Sequence, residues 1–159
     1  MRRLLYRLML FSQLTLKIHN HLQALVENNM SQTIQLPTSR NPALRLVPLP
    51  KDTNSAGDIF GGWIMSQVDI AGSVEAHRIA KGRVVTVAVK EFKFHKPVYV
   101  GDLVSCYAEV SHIGNTSITI FVEVFSERNR LTQEAVKVTE AIVTYVAIDK
   151  QGNPRVIEK

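Results

Sequence analysis

The chain has 159 residues, 45% hydrophobic and 21% charged, which fits one ordinary globular domain and excludes wholesale disorder or a collagen-like fibre. Its formal net charge of +5 is uneven, because Arg2, Arg3, Arg7 and Lys17 face only Glu27 in the first 29 residues. That leaves 15 of the 19 basic and 13 of the 14 acidic residues for the remainder, too even a balance to expect nucleic acid, although small anionic ligands stay open.

From Arg2 to Val26 the chain is Leu-rich, basic and free of acids, a pattern that suits an amphipathic transit-type helix. It makes a poor secretory signal, since Arg7 interrupts the apolar run and no small-residue cleavage site follows. Nothing approaches the ~20 consecutive apolar residues of a transmembrane span. Three readings stay open: a start at Met30 with an overextended frame upstream, an organellar transit peptide, and a loosely packed amphipathic helix. Residues 1–38 are therefore expected to lie outside the fold, and residues 39–159 to form its one domain.

Pro37, Pro42, Pro48 and Pro50 punctuate the start of that domain, with a short edge strand expected over 44–49. Asp52 to Asp58 is a dense turn signal rich in Asp, Asn, Ser and Gly. From Gly62 to Ala80 the apolar residues Ile64, Met65, Val68, Ala71 and Ala76 recur at helical spacing, and Gly82 offers a stop. Trp63, Ile70, Val74 and Ile79 spread apolar character round this helix, which predicts that other structure wraps it.

The period then switches. Strands are expected over 84–94, 103–110, 117–125 and 135–148, separated by turn segments at Val100-Gly101-Asp102, Gly114-Asn115 and Arg128-Asn129-Arg130. Short connections between long strands imply antiparallel pairing, so the class is α+β: an antiparallel sheet wrapped around one long helix. Thr119, Phe121 and Glu123 make the second face of their strand partly apolar, which predicts packing against another subunit.

Cys106 is the only cysteine, so no intrachain disulfide forms, and a cytoplasmic location is expected, or an organellar matrix if residues 1–29 are a transit peptide. The histidines at 19, 21, 77, 95 and 112 show no metal-ligand pattern, and no metal is expected. No Ser-His-Asp, Cys-His or phosphate-cradling glycine motif is present.

Asp69 is the leading candidate for chemistry, because it sits between Val68 and Ile70 in a helix that reads as enclosed. A carboxylate in a low-dielectric site is costly unless paired, and a base tuned by such a site suits proton abstraction at neutral pH. The competing reading puts Asp69 on an exposed strip with Ser66, Gln67 and Ser73, or opposite a distant cation. Gly61 and Gly62 precede the helix, where backbone N–H groups point outward unpaired and can hold an oxygen that gains negative charge. The same glycines also suit a tight entry turn. Asn54, Asp58 and Thr86 are explained equally by site chemistry and by turn or strand preferences. Arg83, Lys93 and Lys96 are candidate phosphate contacts that ordinary solvated surface would also explain.

The run from Asp52 to Trp63, then Met65-Ser66-Gln67-Val68-Asp69, Gly82 to Val87, Lys96 to Asp102 and Ala141 to Asp149, closely resembles the YciA-like hotdog-fold acyl-CoA thioesterases. The likeness covers about residues 44–157. It implies a hotdog fold, CoA thioesters as substrates with no separate cofactor, and a dimer with interfacial active sites, often a trimer of dimers. It implies Asp69 as general base or nucleophile and Gly61 N–H as donor to the thioester oxygen. Asn54 would hold the thioester, Thr86 the water, while Asp58, Phe60, Gly62, Arg83 and Lys96 would contact substrate. Many relatives carry His where this chain has Phe60, so any role of that His is absent or moved here. The alternative function is a non-catalytic acyl-CoA sensor on the same fold; a hotdog dehydratase would pair His with a carboxylate, which His77 and His95 do not match.

Overall fold

The computed structural model describes residues 34–129 and 134–158, all but Ile34 of them within a compact unit that spans Gln35–Lys159. The transit-type reading of residues 1–29 and the Met30 start lie outside the described residues. Strand β1 (Leu44–Leu46) is followed by a single 3-10 turn (Pro50–Asp52) and helix α1 (Gly61–Ala80). Strands β2 (Val84–Phe94), β3 (Leu103–Ile113), β4 (Ser117–Asn129) and β5 (Glu134–Ala147) complete one antiparallel sheet in the order β1-β3-β4-β5-β2. This is the expected α+β arrangement of one long helix against an antiparallel sheet.

The differences from expectation lie at the ends of elements. β1 stops three residues early because Pro48 and Pro50 cannot donate to a ladder and Pro50 opens the 3-10 turn. β3 and β4 run past 110 and 125 although their side chains turn polar, because those side chains are paired: on β3 Ser111 Oγ donates to the Thr119 carbonyl at 3.0 Å, and on β4 Ser126 Oγ donates to Asp102 Oδ2 at 2.6 Å and Arg45 reaches Glu127 at 2.9 Å. The helix is closed by Lys81 in the left-handed region (φ 47°) rather than by Gly82. Arg155 explains Gly82, since its guanidinium lies 2.7 Å from where a Cβ would stand and also donates to the carbonyl of Ala80.

Helix α1 packs chiefly on β3 and β4, seating Ile64, Val68, Ala71 and Ala76 against Ile118, Ile120, Val122 and Val124. All eight are essentially solvent-free, and burial of such side chains is the main favourable term in folding. Cys106 belongs to this core, where burial pushes its thiol up to about 12. A sheet has one face to offer the helix, so the expected enclosure on most sides is not met within one chain. Met65 and Ile70 remain 46% and 47% exposed, beside an edge strand β2 that leaves Val85, Val87 and Val89 uncovered. Among the described residues no helix is long and apolar enough to cross a membrane.

The outer face of the sheet is more polar than the strand pattern suggested. Arg40 bonds both Glu109 and Glu123, and Lys137 bridges Glu123 at 2.8 Å and Glu140 at 2.6 Å while lying 5.9 Å from the Phe121 ring centre. The exposed apolar positions sit instead on α1 and β2. Burial pushes the Glu123 carboxyl up, but hydrogen bonds from Lys137 and Arg40 outweigh it and hold it below the usual carboxylate range. The Lys137 hydrogen bond likewise lowers Glu140, against a smaller opposing effect of burial.

A depressed folded-state value means stability that is present above the unfolded value of 4.5 and lost as pH falls through the folded one. Lys137→Met should therefore flatten the acid limb: between pH 7 and pH 3 the wild type should lose more of its melting temperature than the variant. Thermal unfolding followed by circular dichroism checks this, and equal losses would show that the bridges carry no acid dependence.

Candidate active site

The start of α1 has no side-chain cap. Its N-cap residue is Phe60, whose side chain cannot accept a hydrogen bond, although Ser, Thr, Asp or Asn would stabilise the position by ~1 kcal/mol. The N–H groups of Trp63 and Ile64 return to the Phe60 carbonyl at 3.0 and 3.3 Å. Those of Gly61 and Gly62 meet no hydrogen-bond partner among the described residues, and both glycines are exposed. Two amides at the positive end of a twenty-residue helix thus point outward.

The preceding loop frames them. Asn54 Oδ1 accepts the N–H of Ala56 at 2.9 Å and of Asp58 at 3.2 Å, and the Asn54 N–H donates to the Asp58 carbonyl at 2.7 Å. With its oxygen used by the turn, the Asn54 side chain presents its NH2 group outward as a donor. Asn54, Asp58, Gly61, Phe94, His95 and Lys96 line a half-open cleft of about 330 Å³. Phe94 is so close to Gly61 that a Cβ there would sit 3.3 Å from its ring, a second reason for glycine at this position.

Asp69 lies eight residues further on the same helix, ~12 Å along its axis at 1.5 Å per residue. The Thr86 hydroxyl donates to Asp69 Oδ1 at 2.5 Å. The Tyr145 hydroxyl donates to the Asp69 backbone carbonyl at 2.8 Å and stands 3.4 Å from Oδ1. Thr86 and Tyr145 are direct cross-strand partners on β2 and β5, so the sheet register delivers both hydroxyls to one helix position. Burial first, then the charge of Asp69 and its hydrogen bond, push the Tyr145 phenol up from its ordinary value. Among the described residues Asp69 has no ion pair and its Oδ2 no hydrogen bond, and it is half-buried beside exposed Met65, Ser66 and Ile70, so within one chain it lies on the partly exposed side of the helix rather than in the enclosed site expected from the sequence.

The expected site residues therefore fall into separate groups. Gly61, Gly62, Asn54, Asp58 and Lys96 gather at the helix start, with Phe60 exposed beside them. Asp69 and Thr86 meet two turns away. Arg83 sits at the opposite end of β2 from Lys96, with Nη1 3.4 Å from the carbonyls of Asp149 and Lys150. Within one chain Asp69 and Gly61 stand ~12 Å apart along the helix axis, a spacing compatible with the interfacial active sites that the family resemblance implies. Tyr145 and Gly72 were not anticipated. The signals were a tyrosine at an inward position of an apolar strand and a glycine in mid-helix, where alanine is preferred. Among the described residues no three His, Cys, Asp or Glu side chains converge as metal ligands would.

Residues 56–133 match a model of the thioesterase superfamily. The acyl-CoA thioester hydrolase YciA of Escherichia coli K12 is 46% identical over 130 residues, which cover 80% of this chain and 98% of that protein. The hexameric thioesterase y2039 of Yersinia pestis is 48% identical with a TM-score of 0.72, covering 78% of this chain and 99% of that one. A hexameric broad-specificity acyl-coenzyme A thioesterase, crystallised with one aspartate changed to alanine, is 46% identical with a TM-score of 0.72, covering 76% and 88%.

The double acceptor role of Asn54 sets a test of the loop. Asn54→Asp retains an oxygen for both N–H groups and should melt within a few degrees of wild type, whereas Asn54→Ala releases them and should cost about 1 kcal/mol. Chemical denaturation compares the three proteins; equal stability of all three would show that the turn does not depend on this side chain.

Proposed function

This chain belongs to the YciA-like acyl-CoA thioester hydrolases of the thioesterase superfamily, and on that premise we propose that it hydrolyses acyl-CoA at sites shared between two protomers. The observation that carries the shared site is the ~12 Å of helix between the unpaired Gly61 amide and Asp69. Two copies of α1 packed antiparallel about a two-fold axis bring Gly61 of one protomer opposite the partner's Asp69, twice per dimer. Met65 and Ile70, exposed on the free side of the helix, supply apolar surface for that contact, and the uncovered valines of β2 extend it. By analogy with the hexameric relatives, three such dimers assemble into a hexamer.

In the proposed reaction the thioester carbonyl oxygen lies against the Gly61 N–H, with the Asn54 NH2 as a second donor. Asp69 Oδ2 removes a proton from water while the oxygen of that water bonds to the carbonyl carbon. Negative charge passes to the carbonyl oxygen, where the helix amide stabilises it. The C–S bond then breaks, the sulfur leaves with its electron pair and takes up a proton, and a carboxylic acid and free CoA result. Thr86, bonded to Oδ1, holds the carboxylate and accepts a hydrogen bond from the same water. Gly62 N–H and the Phe60 ring border the acyl carbonyl, and Asp58 keeps the loop in place. Arg83, near the C-terminal turn, and Lys96, beside the cleft, are candidates for a CoA phosphate. A single buried cysteine suits a reducing, cytoplasmic setting.

The test is release of free CoA, followed with a thiol reagent, from acetyl-, butyryl-, hexanoyl- and palmitoyl-CoA. The wild type should hydrolyse at least one of them, and Asp69→Asn should lose ~10²- to 10⁴-fold in turnover while melting as wild type does. Near-normal turnover by the variant would remove Asp69 from the chemistry. Binding without hydrolysis by the wild type would identify an acyl-CoA sensor instead.

A further inference from the structure

We propose that Tyr145 is a positioning residue for Asp69, and that Gly72 is the opening in the helix that lets its hydroxyl in. This rests on Asp69 being the base. A carboxylate has two oxygens, and a base is effective when one of them is held and the other faces the water. Oδ1 of Asp69 is held by Thr86 and faced by Tyr145, while Oδ2 is left for the substrate side. Thr86, however, is an exposed side chain on the edge strand β2 and alone gives a loose tether.

Tyr145 is its rigid counterpart. It is completely buried on β5, between β4 and β2, so its ring has no freedom to swing. Its hydroxyl donates at 2.8 Å to the backbone carbonyl of Asp69, fixing the helix turn from which the carboxylate projects, and its oxygen closes one side of the space that Oδ1 would need to rotate. This approach is open only because residue 72 lacks a side chain: a Cβ there would stand 2.3 Å from the hydroxyl oxygen and 3.1 Å from two ring carbons. A glycine in mid-helix weakens the helix relative to alanine, and a buried phenol requires a partner. The ring carbons alone already crowd a Cβ at residue 72, and the hydroxyl oxygen excludes one outright; packing does not account for the hydroxyl itself, since phenylalanine would fill the core without a polar group. Both features meet at the one turn that carries Asp69.

The experiment measures kcat, KM and melting temperature for wild type, Tyr145→Phe, Tyr145→Leu, Gly72→Ala and Asp69→Asn on the best acyl-CoA substrate. Tyr145→Phe should lower the melting temperature by only a few degrees and keep KM while kcat falls roughly ten-fold, the scale of one hydrogen bond acting on the transition state. Tyr145→Leu should lose stability as well. Phenylalanine thus restores the core but not the turnover, a split that a merely structural tyrosine would not give. Gly72→Ala should lower kcat at least as far, and adding Tyr145→Phe to it should cost little more, because the hydroxyl is already displaced. Wild-type kcat in Tyr145→Phe beside an inactive Asp69→Asn would overturn the positioning role and leave the hydrolase reading intact. A fall in kcat matched by a rise in KM would assign Tyr145 to substrate binding and equally overturn it. Active Asp69→Asn would overturn both.

Discussion

Gly61 and Asp69 stand eight residue steps apart on an unbroken α-helix, and a helix of that length holds its ends apart as a rigid strut. The amide at its start is the part suited to a developing oxyanion, and the carboxylate two turns along is the part suited to a proton. About 12 Å of helix axis lies between them within one chain. The described residues agree with that separation: a sheet that covers one side of the helix, Met65 and Ile70 half exposed on the other side, and an edge strand, paired to β5 alone, whose Val85, Val87 and Val89 are about half exposed. Under the proposed mechanism, self-association serves the chemistry as well as burying surface.

The uncapped helix start belongs to the same logic. A phenylalanine at the N-cap forgoes the stabilisation that a small polar residue would add, and leaves two donors pointing outward. The Asn54 turn, the Phe94 ring and the Ile59 N–H bond to the Val98 carbonyl at 2.9 Å hold the entry to the helix in place without occupying those donors. Stability that the cap does not provide is supplied by the loop, and the donors stay available to a ligand oxygen.

The long helix and β2 were legible from the sequence because each has a sustained period: apolar residues at three- and four-residue spacing to Ala80, then β-branched and aromatic residues from Val84 to Phe94. Asp69, Gly61 and Asn54 stood out through local context and through resemblance to a family. Ends of elements were harder, since β4 continues through Ser126 and Glu127 by virtue of partners far along the chain, Asp102 and Arg45. The split of the site into two groups follows from helix geometry already implicit in the numbering, but its consequence needs the sheet to show which side of the helix is free. Tyr145 was the least legible. It alternates with Ala141, Val143 and Ala147 as an ordinary inward position, and only a contact with a residue 76 positions away gives its hydroxyl a purpose.

Mixed oligomers test the shared site most directly. Gly61→Pro removes the amide proton at the first helical position, where proline's backbone fits and the half-exposed Phe94 ring can move aside for its side chain, and Asp69→Asn removes the base, so each variant alone should be nearly inactive. When the two chains are unfolded together and refolded in equal amounts, half of the dimers are mixed and each contains one site with both groups intact. The account predicts that roughly a quarter of wild-type CoA release returns, from the pairing statistics of a two-fold dimer. A mixture no more active than the two variants apart would mean that Gly61 and Asp69 of a single chain work together, and would contradict the shared site.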